Sequence, residues 1–115
     1  MSKIILSICI PTYNRGEILY KTVNHILASP RNDIEIFVSD NASSDNTEEL
    51  MRKIKDLRVN YHRRPKNYGA ESNFINCIRR ATGKYVFFIA DDDIVEIKEI
   101  PWLIDTIKNN NNFTF

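Results

Sequence analysis

Glycine is scarce in this chain, with three residues in 115. No G-x-G-x-x-G follows the first apolar run, and no G-x-x-x-x-G-K-[ST] occurs anywhere, so neither a dinucleotide-binding turn nor a P-loop is indicated. Cysteine is scarcer still, at two. Cys9 and Cys77 both fall inside apolar patterns and read as buried free thiols in a reducing compartment, which excludes a disulfide framework. His25 and His62 are far apart and carry no ligand spacing. Neither sign of charge is in excess. The formal net charge is +1, so nothing draws the chain as a whole to nucleic acid or anionic membrane. No apolar run approaches the roughly 18–20 residues of a membrane span. The apolar run after Met1-Ser2-Lys3 ends in no small-residue cleavage site, so it reads as a first strand rather than a signal peptide. The length admits one compact domain, residues 1–115, and not two.

What the chain does have is a short apolar run, Tyr85-Val86-Phe87-Phe88-Ile89-Ala90, that leads straight into Asp91-Asp92-Asp93. A run so short and so rich in aromatic and β-branched residues reads as a strand buried on both faces, which suits a parallel sheet covered by helices. The carboxylates then lie just past its C-terminal end, where open α/β sheets bind ligands. Unit charges about 6 Å apart at an effective dielectric of about 20 repel by roughly 3 kcal/mol. The cluster therefore either invites a cation, Mg²⁺ or Mn²⁺ suiting all-oxygen ligands, or is a solvated acidic turn that stops the strand.

The rest of the chain alternates. Residues 4–10 form an apolar strand ended by Pro11. A helix follows with Leu19, Val23, Ile26 and Leu27 on one face. Ile34, Ile36 and Val38 define a second strand, and Ser44 or Asp45 is placed to cap a second helix whose buried stripe is Leu50, Ile54 and Leu57. Residues 58–62 form a short, polar strand near an edge. Phe74, Ile75, Ile78 and Ala81 mark a third helix closed by Gly83 as its C-terminal cap. After the acidic triplet, Glu99-Ile100-Pro101 opens a last helix with Leu103, Ile104 and Ile107 inward. This β-α-β-α-β-α-β-α order predicts an α/β fold, a Rossmann-like, mostly parallel sheet with helices on both faces.

In such a sheet the loops after the strands gather along one rim. They hold residues 11–16, 39–45, 63–69 and 91–93. Asp40 is placed either to accept hydrogen bonds from a ribose or base, or to form an Asx-type turn. Thr12 and Tyr13 either contact a nucleoside or pack the loop. Arg63, Arg64 and Lys66 either reach phosphates or form a solvated basic loop. Asn67-Tyr68-Gly69 is a turn signal, and Asn73 reads as structural.

Four of these stretches resemble, in order, the motifs of the family 2 glycosyltransferases. They are the run from Leu6 to Arg15, the run from Phe37 to Thr47, Asn67-Tyr68-Gly69 with Asn73, and the run from Ala81 to Asp93. The resemblance implies a GT-A-like fold, a nucleotide-diphosphate-sugar donor, Mg²⁺ or Mn²⁺, and inverting transfer to the hydroxyl of a saccharide or lipid-linked saccharide. It implies no nucleic-acid partner. It places the chain in bacterial surface polysaccharide synthesis, in the cytoplasm or at the inner face of the membrane. Pro11, Thr12, Tyr13, Asp40, Arg64, Asp91 and Asp92 would bind the nucleotide, and Asp91, Asp92 and Asp93 the metal, with Asp92 aligning best as the ligand. Ala90 stands where many members have an Asp. The chain then corresponds to the N-terminal, nucleotide-sugar-binding half of the family's domain, with the general base expected beyond Phe115. The alternative is a non-catalytic nucleotide-binding fragment. An absent half would leave an apolar face uncovered, so self-association is expected.

Overall fold

The computed structural model describes residues 3–92 and 99–109. Its elements are β1 (Leu6–Thr12), α1 (Gly16–Leu27), β2 (Ile34–Asp40), α2 (Thr47–Arg52), β3 (Val59–Arg63), α3 (Ala70–Arg80), β4 (Tyr85–Phe88) and α4 (Glu99–Asn109). The four strands form one sheet in the order β3-β2-β1-β4, and every neighbouring pair is parallel. This is the expected α/β architecture.

Side chains alternate across each strand, and the alternation assigns the helices to faces. Leu6, Ile8 and Ile10 of β1 and Ile34, Ile36 and Val38 of β2 form one core with Leu19, Val23 and Ile26 of α1, Met51 of α2, and Ile100 and Ile104 of α4. Each fully buried aliphatic side chain contributes about 1.5–3 kcal/mol. The intervening residues face the other way, where Cys9 and Phe37 pack on Cys77 of α3. Both cysteines are buried free thiols, as expected.

β1 runs two residues further than expected and includes Pro11, paired with Ser39. Thr12 accepts from the Asn41 amide on the β2 side, and Cys9 accepts from the Ile89 amide on the β4 side. The backbone of residue 11 shares the side of residue 9 in a strand. Its missing N–H thus faces β4 just where β4 pairing has stopped, and no ladder bond is lost.

The second helix is shorter than the apolar spacing implied. It ends at Arg52, so Leu57 lies beyond it and is 97% exposed. The third helix packs on a different face. Phe74, Ile75 and Ile78 are exposed, and Asn73 and Cys77 are buried. The cause is the sheet surface beneath, which presents Ser7, Glu35 and Ser39, all buried. Amides satisfy that surface better than apolar side chains. Ser39 Oγ donates to Asn73 Oδ1 at 2.6 Å, Asn73 Nδ2 to Ser39 O at 2.9 Å, and Asn76 Nδ2 to Ser39 Oγ at 2.7 Å.

Gly83 is not the cap of that helix, which closes at an extended Ala81. Gly83 is small because β1 runs against it. A Cβ there would meet Ser7 Oγ at 2.6 Å and Ser7 N at 2.8 Å. Finally, β4 is half-buried rather than buried on both faces, because it is the last strand of the sheet among the described residues. In α4, Ile104 is fully buried and Leu103 packs against the core, while the side chain of Ile107 is outside the described positions.

Candidate functional site

β1 pairs with β2 on one side and β4 on the other, so the connections leaving the sheet diverge at its C-terminal edge. Such a switch point leaves a crevice outside the strand ends. A cleft of about 560 Å³ lies there, lined by Pro11, Thr12, Tyr13, Arg15, Asn41, Asn67, Gly69, Ala70, Asn73, Phe74 and Asp91.

The first wall is the loop after β1. Asn14 takes a left-handed conformation, φ 52°, which asparagine tolerates better than most residues. It is fixed by the loop after β2. Its Oδ1 accepts from the Ser44 amide at 2.7 Å and the Asp45 amide at 3.3 Å, and its own amide donates to Ser43 Oγ at 2.7 Å. The Gly16 amide donates to Asp45 Oδ2 at 3.0 Å, and the other oxygen of Asp45 accepts from the Thr47 amide at 3.0 Å. Burial pushes the Asp45 carboxyl up, but the Thr47 and Gly16 donors outweigh it and hold it below the usual carboxylate value. Asp45 therefore serves both helix starts at once. These bonds join the two loops into one rigid lip.

Asp40 stands behind this lip. It is fully buried. Its Oδ1 accepts from the Ser43 amide at 3.0 Å and Ser43 Oγ at 2.6 Å, and its Oδ2 from the Tyr61 hydroxyl. Burial and the Asp40 carboxylate together push the Tyr61 hydroxyl far up, so it remains a donor. Asp40 thus bonds within its own loop, to the backbone three residues on. It is the next residue, Asn41, that reaches the cleft. Its Nδ2 donates to Asn67 Oδ1 at 2.7 Å and its Oδ1 accepts from the Tyr68 amide at 3.1 Å.

The opposite wall carries the acids. Asp91 is buried. Thr12 Oγ1 donates to its Oδ2 at 2.9 Å, Arg15 to its Oδ1 at 3.1 Å, and Thr22 Oγ1 to its carbonyl oxygen at 2.8 Å. Asp92 is half-exposed, its Oδ2 lying 3.7 Å from the same Arg15 nitrogen. Asp93 lies outside the described residues.

Arg64 does not line the cleft. Its amide donates to Asp40 O at 2.8 Å, one guanidinium nitrogen to Ser72 Oγ at 3.0 Å, and its plane lies 4.5 Å from the centre of the Tyr68 ring. Its other terminal nitrogen, Nη1, is buried without a hydrogen-bond partner among the described residues. Lys66 lies over the same ring, and Arg63 donates to Ser43 O.

The structure thus brings together Pro11, Thr12, Tyr13 and Asp91, with Asp92 beside them. It sets Asp40 and Arg64 one layer back. Among the polar residues that line the cleft, Arg15 and Asn41 were given no individual role from the sequence. Each sits in a loop already flagged, Arg15 two positions from Tyr13 and Asn41 one from Asp40. As for a cation, no group of three acidic, His or Cys side chains is gathered tightly enough to hold one among the described residues. Two neighbouring carboxylates nevertheless fit Mg²⁺ or Mn²⁺, which keeps several waters and takes phosphate oxygens, and each carboxylate oxygen has lone pairs beyond those already engaged.

The family described as Glycosyl transferase family 2 matches residues 7–114. The chain is 39% identical over 94 residues to abequosyltransferase RfbV of Salmonella typhimurium, a match covering 77% of this chain and 28% of that one. The fold superposes on S. aureus TarS 1-349 with a TM-score of 0.84 at 21% identity, covering 92% of this chain and 33% of that one. It superposes on mannosyltransferase PcManGT from Pyrobaculum calidifontis, solved with GDP-Man and Mn²⁺, with a TM-score of 0.78 at 23% identity, covering 94% and 32%. The chain spans about a third or less of the length of each of these three proteins.

Proposed function

This chain belongs to glycosyl transferase family 2, and from that premise we propose that it is the donor-binding part of an enzyme that transfers a sugar from a nucleotide-diphosphate donor to an acceptor hydroxyl in bacterial surface polysaccharide synthesis. The observation that carries this reading is the cleft at the ends of β1 and β4, in which Thr12 and Arg15 meet Asp91 and Asp92.

In this reading Pro11, Thr12 and Tyr13 face the nucleoside. Tyr13 is 46% exposed, so its ring is available for stacking. Asp91, held by Thr12, sets the depth of the pocket. Asp40 acts from behind, fixing the loop that carries Asn41. Arg64 supports the same loop through the hydrogen bond from its backbone amide to the Asp40 carbonyl oxygen and adds positive charge near the phosphates. Asp92, with Asp93 next in sequence, would hold Mg²⁺ or Mn²⁺ against the diphosphate. When bound, the ion neutralises charge that develops on the departing diphosphate. PcManGT, whose structure holds GDP-Man and Mn²⁺ on the same fold, supports the pairing of donor and metal. The acceptor would be a saccharide or lipid-linked saccharide, and the transfer inverting. No helix among the described residues is long and apolar enough to cross a membrane.

A thermal-shift panel of nucleoside diphosphates, with and without Mn²⁺, tests this. Ligand at about 100 times its dissociation constant adds roughly 2.7 kcal/mol of stability, which is several degrees in a domain of this size. One diphosphate is expected to give a Mn²⁺-dependent shift that is lost in Asp92→Asn and reduced in Tyr13→Ala. A cooperative melt that no diphosphate moves would refute the donor site. Binding with neither transfer nor donor hydrolysis would leave nucleotide binding as the activity of these 115 residues.

A further inference from the structure

Resting on this donor-site reading, we infer that Arg15 is a positioning residue that stands in for the divalent cation in the ligand-free protein and turns to the donor's diphosphate when the cation arrives. One of its guanidinium nitrogens serves both acids, at 3.1 Å from Asp91 and 3.7 Å from Asp92. That is not the two-pronged pairing that makes arginine–carboxylate contacts strong. The side chain is 47% exposed, so it can leave at little cost in packing. Its main chain cannot leave. The Arg15 carbonyl accepts from the Leu19 amide at 2.9 Å as α1 begins, and Asn14 on one side and Gly16 on the other are tied to the second loop. Arg15 therefore pivots from a fixed base beside the cleft it lines.

The acids differ in the same sense. Asp91 keeps its place without Arg15, because Thr12 holds its carboxylate and Thr22 its carbonyl. Asp92, half-exposed, has Arg15 beside it. The guanidinium is a cation, so in the ligand-free protein it offsets the repulsion between the two carboxylates. A divalent ion does this better, and two cations within a few ångströms of the same oxygens repel each other. A diphosphate reverses the balance, since it offers paired oxygens of the kind a guanidinium binds best. Arg15 thus opposes a bare metal ion and favours a diphosphate.

These opposite signs make the test. Binding of Mn²⁺ alone is followed by loss of the free-ion paramagnetic resonance signal, and binding of UDP and GDP by calorimetry at saturating Mn²⁺. Wild type is compared with Arg15→Gln and Arg15→Lys, each first shown to melt cooperatively. In Arg15→Gln, Mn²⁺ alone is expected to bind about tenfold more tightly, a change of about 1.4 kcal/mol, and the diphosphate more weakly. Arg15→Lys keeps the charge and is expected to restore weak Mn²⁺ binding. An arginine that merely braces the acids predicts the reverse for the metal, weaker binding in Arg15→Gln, and that result overturns the inference. Equal Mn²⁺ binding by wild type and Arg15→Gln overturns it and leaves the donor site standing. Absence of Mn²⁺ binding from both overturns it together with the metal part of the donor-site reading. If Arg15→Gln does not fold, the Arg15 side-chain Nε–H resonance of wild type is followed as Mg²⁺ is added. Its displacement supports release from Asp91, and a resonance that stays still while the protein binds Mg²⁺ refutes it.

Discussion

Thr12 closes β1 and Asp91 follows β4, and the hydroxyl of the one donates to the carboxylate of the other at 2.9 Å across 79 positions of sequence. This bond ties an inner strand of the sheet to the acidic wall of the cleft. A hydrogen bond to a charged group contributes about 1.5–3 kcal/mol. Thr12→Val keeps the shape and removes the donor. Denaturant unfolding is expected to show a loss of about that size, and Thr12→Ser is expected to recover most of it. No loss in Thr12→Val would mean that Arg15 and Thr22 suffice to hold Asp91.

Glu35 gives the chain an acid limit. It is 5% exposed, and its Oε2 accepts from Ser7 Oγ at 2.5 Å, the Thr82 amide at 2.7 Å and Thr82 Oγ1 at 2.8 Å. Burial alone raises its pKa, but the Ser7 and Thr82 donors outweigh burial and bring it below the ordinary 4.5. A depressed folded pKa means that the carboxylate's contribution is complete above the unfolded value and is lost as pH falls through the folded one. The stability difference between wild type and Glu35→Gln is therefore expected to be constant near neutrality and to shrink on acidification below about pH 4.5. Parallel stability curves for the two proteins would show that Glu35 is not the group responsible.

Gly83→Ala is expected to destabilise although no left-handed backbone is involved. The added methyl would stand 2.6 Å from Ser7 Oγ and 2.8 Å from Ser7 N, and forced repacking of this kind costs about 1–3 kcal/mol. Because Ser7 also donates to Glu35, the damage should appear as a weaker pH dependence as well as a lower melting temperature. A melting temperature equal to wild type would show that β1 and residue 83 separate easily.

The isolated chain is expected to self-associate. Phe87 and Trp102, 39% and 66% exposed, flank an open apolar cavity of about 440 Å³ with Leu6, Ile8, Ile100 and Leu103, beside the strand that ends the sheet among the described residues. Exposed apolar surface of this kind favours association. Sedimentation velocity should show a coefficient that rises with concentration and falls back in Phe87→Glu with Trp102→Ser. A concentration-independent monomer would refute this.

Much of this fold is written in short-range pattern. Ile8, Ile10, Ile34, Ile36 and Val38 could be placed because strands alternate, and Leu19, Val23 and Ile26 because helices repeat, and all eight are buried. The pattern misled where a helix met a polar surface. Phe74, Ile75 and Ile78 look like a core stripe, yet α3 turns Asn73 and Cys77 inward because Ser39 lies opposite. The length of α2 was likewise invisible, since nothing in Leu57 says that the helix has already ended at Arg52. At the site, Thr12, Tyr13 and Asp91 stood out by position at strand ends. Arg15 did not, because its partners are more than seventy positions away and only the sheet brings them near.

The strand order has a consequence for birth of the protein. β1, β2 and β3 lie side by side in the order in which a ribosome would release them, whereas β4 must pass back over two neighbours to reach β1. Pairings between distant segments form slowly, and parallel sheets most of all. A nascent chain can thus build three strands early, before it holds the acids of the cleft, Asp91 and Asp92, which follow the fourth. A chain released before β4 would hold three strands of the sheet and lack the acidic wall of its cleft.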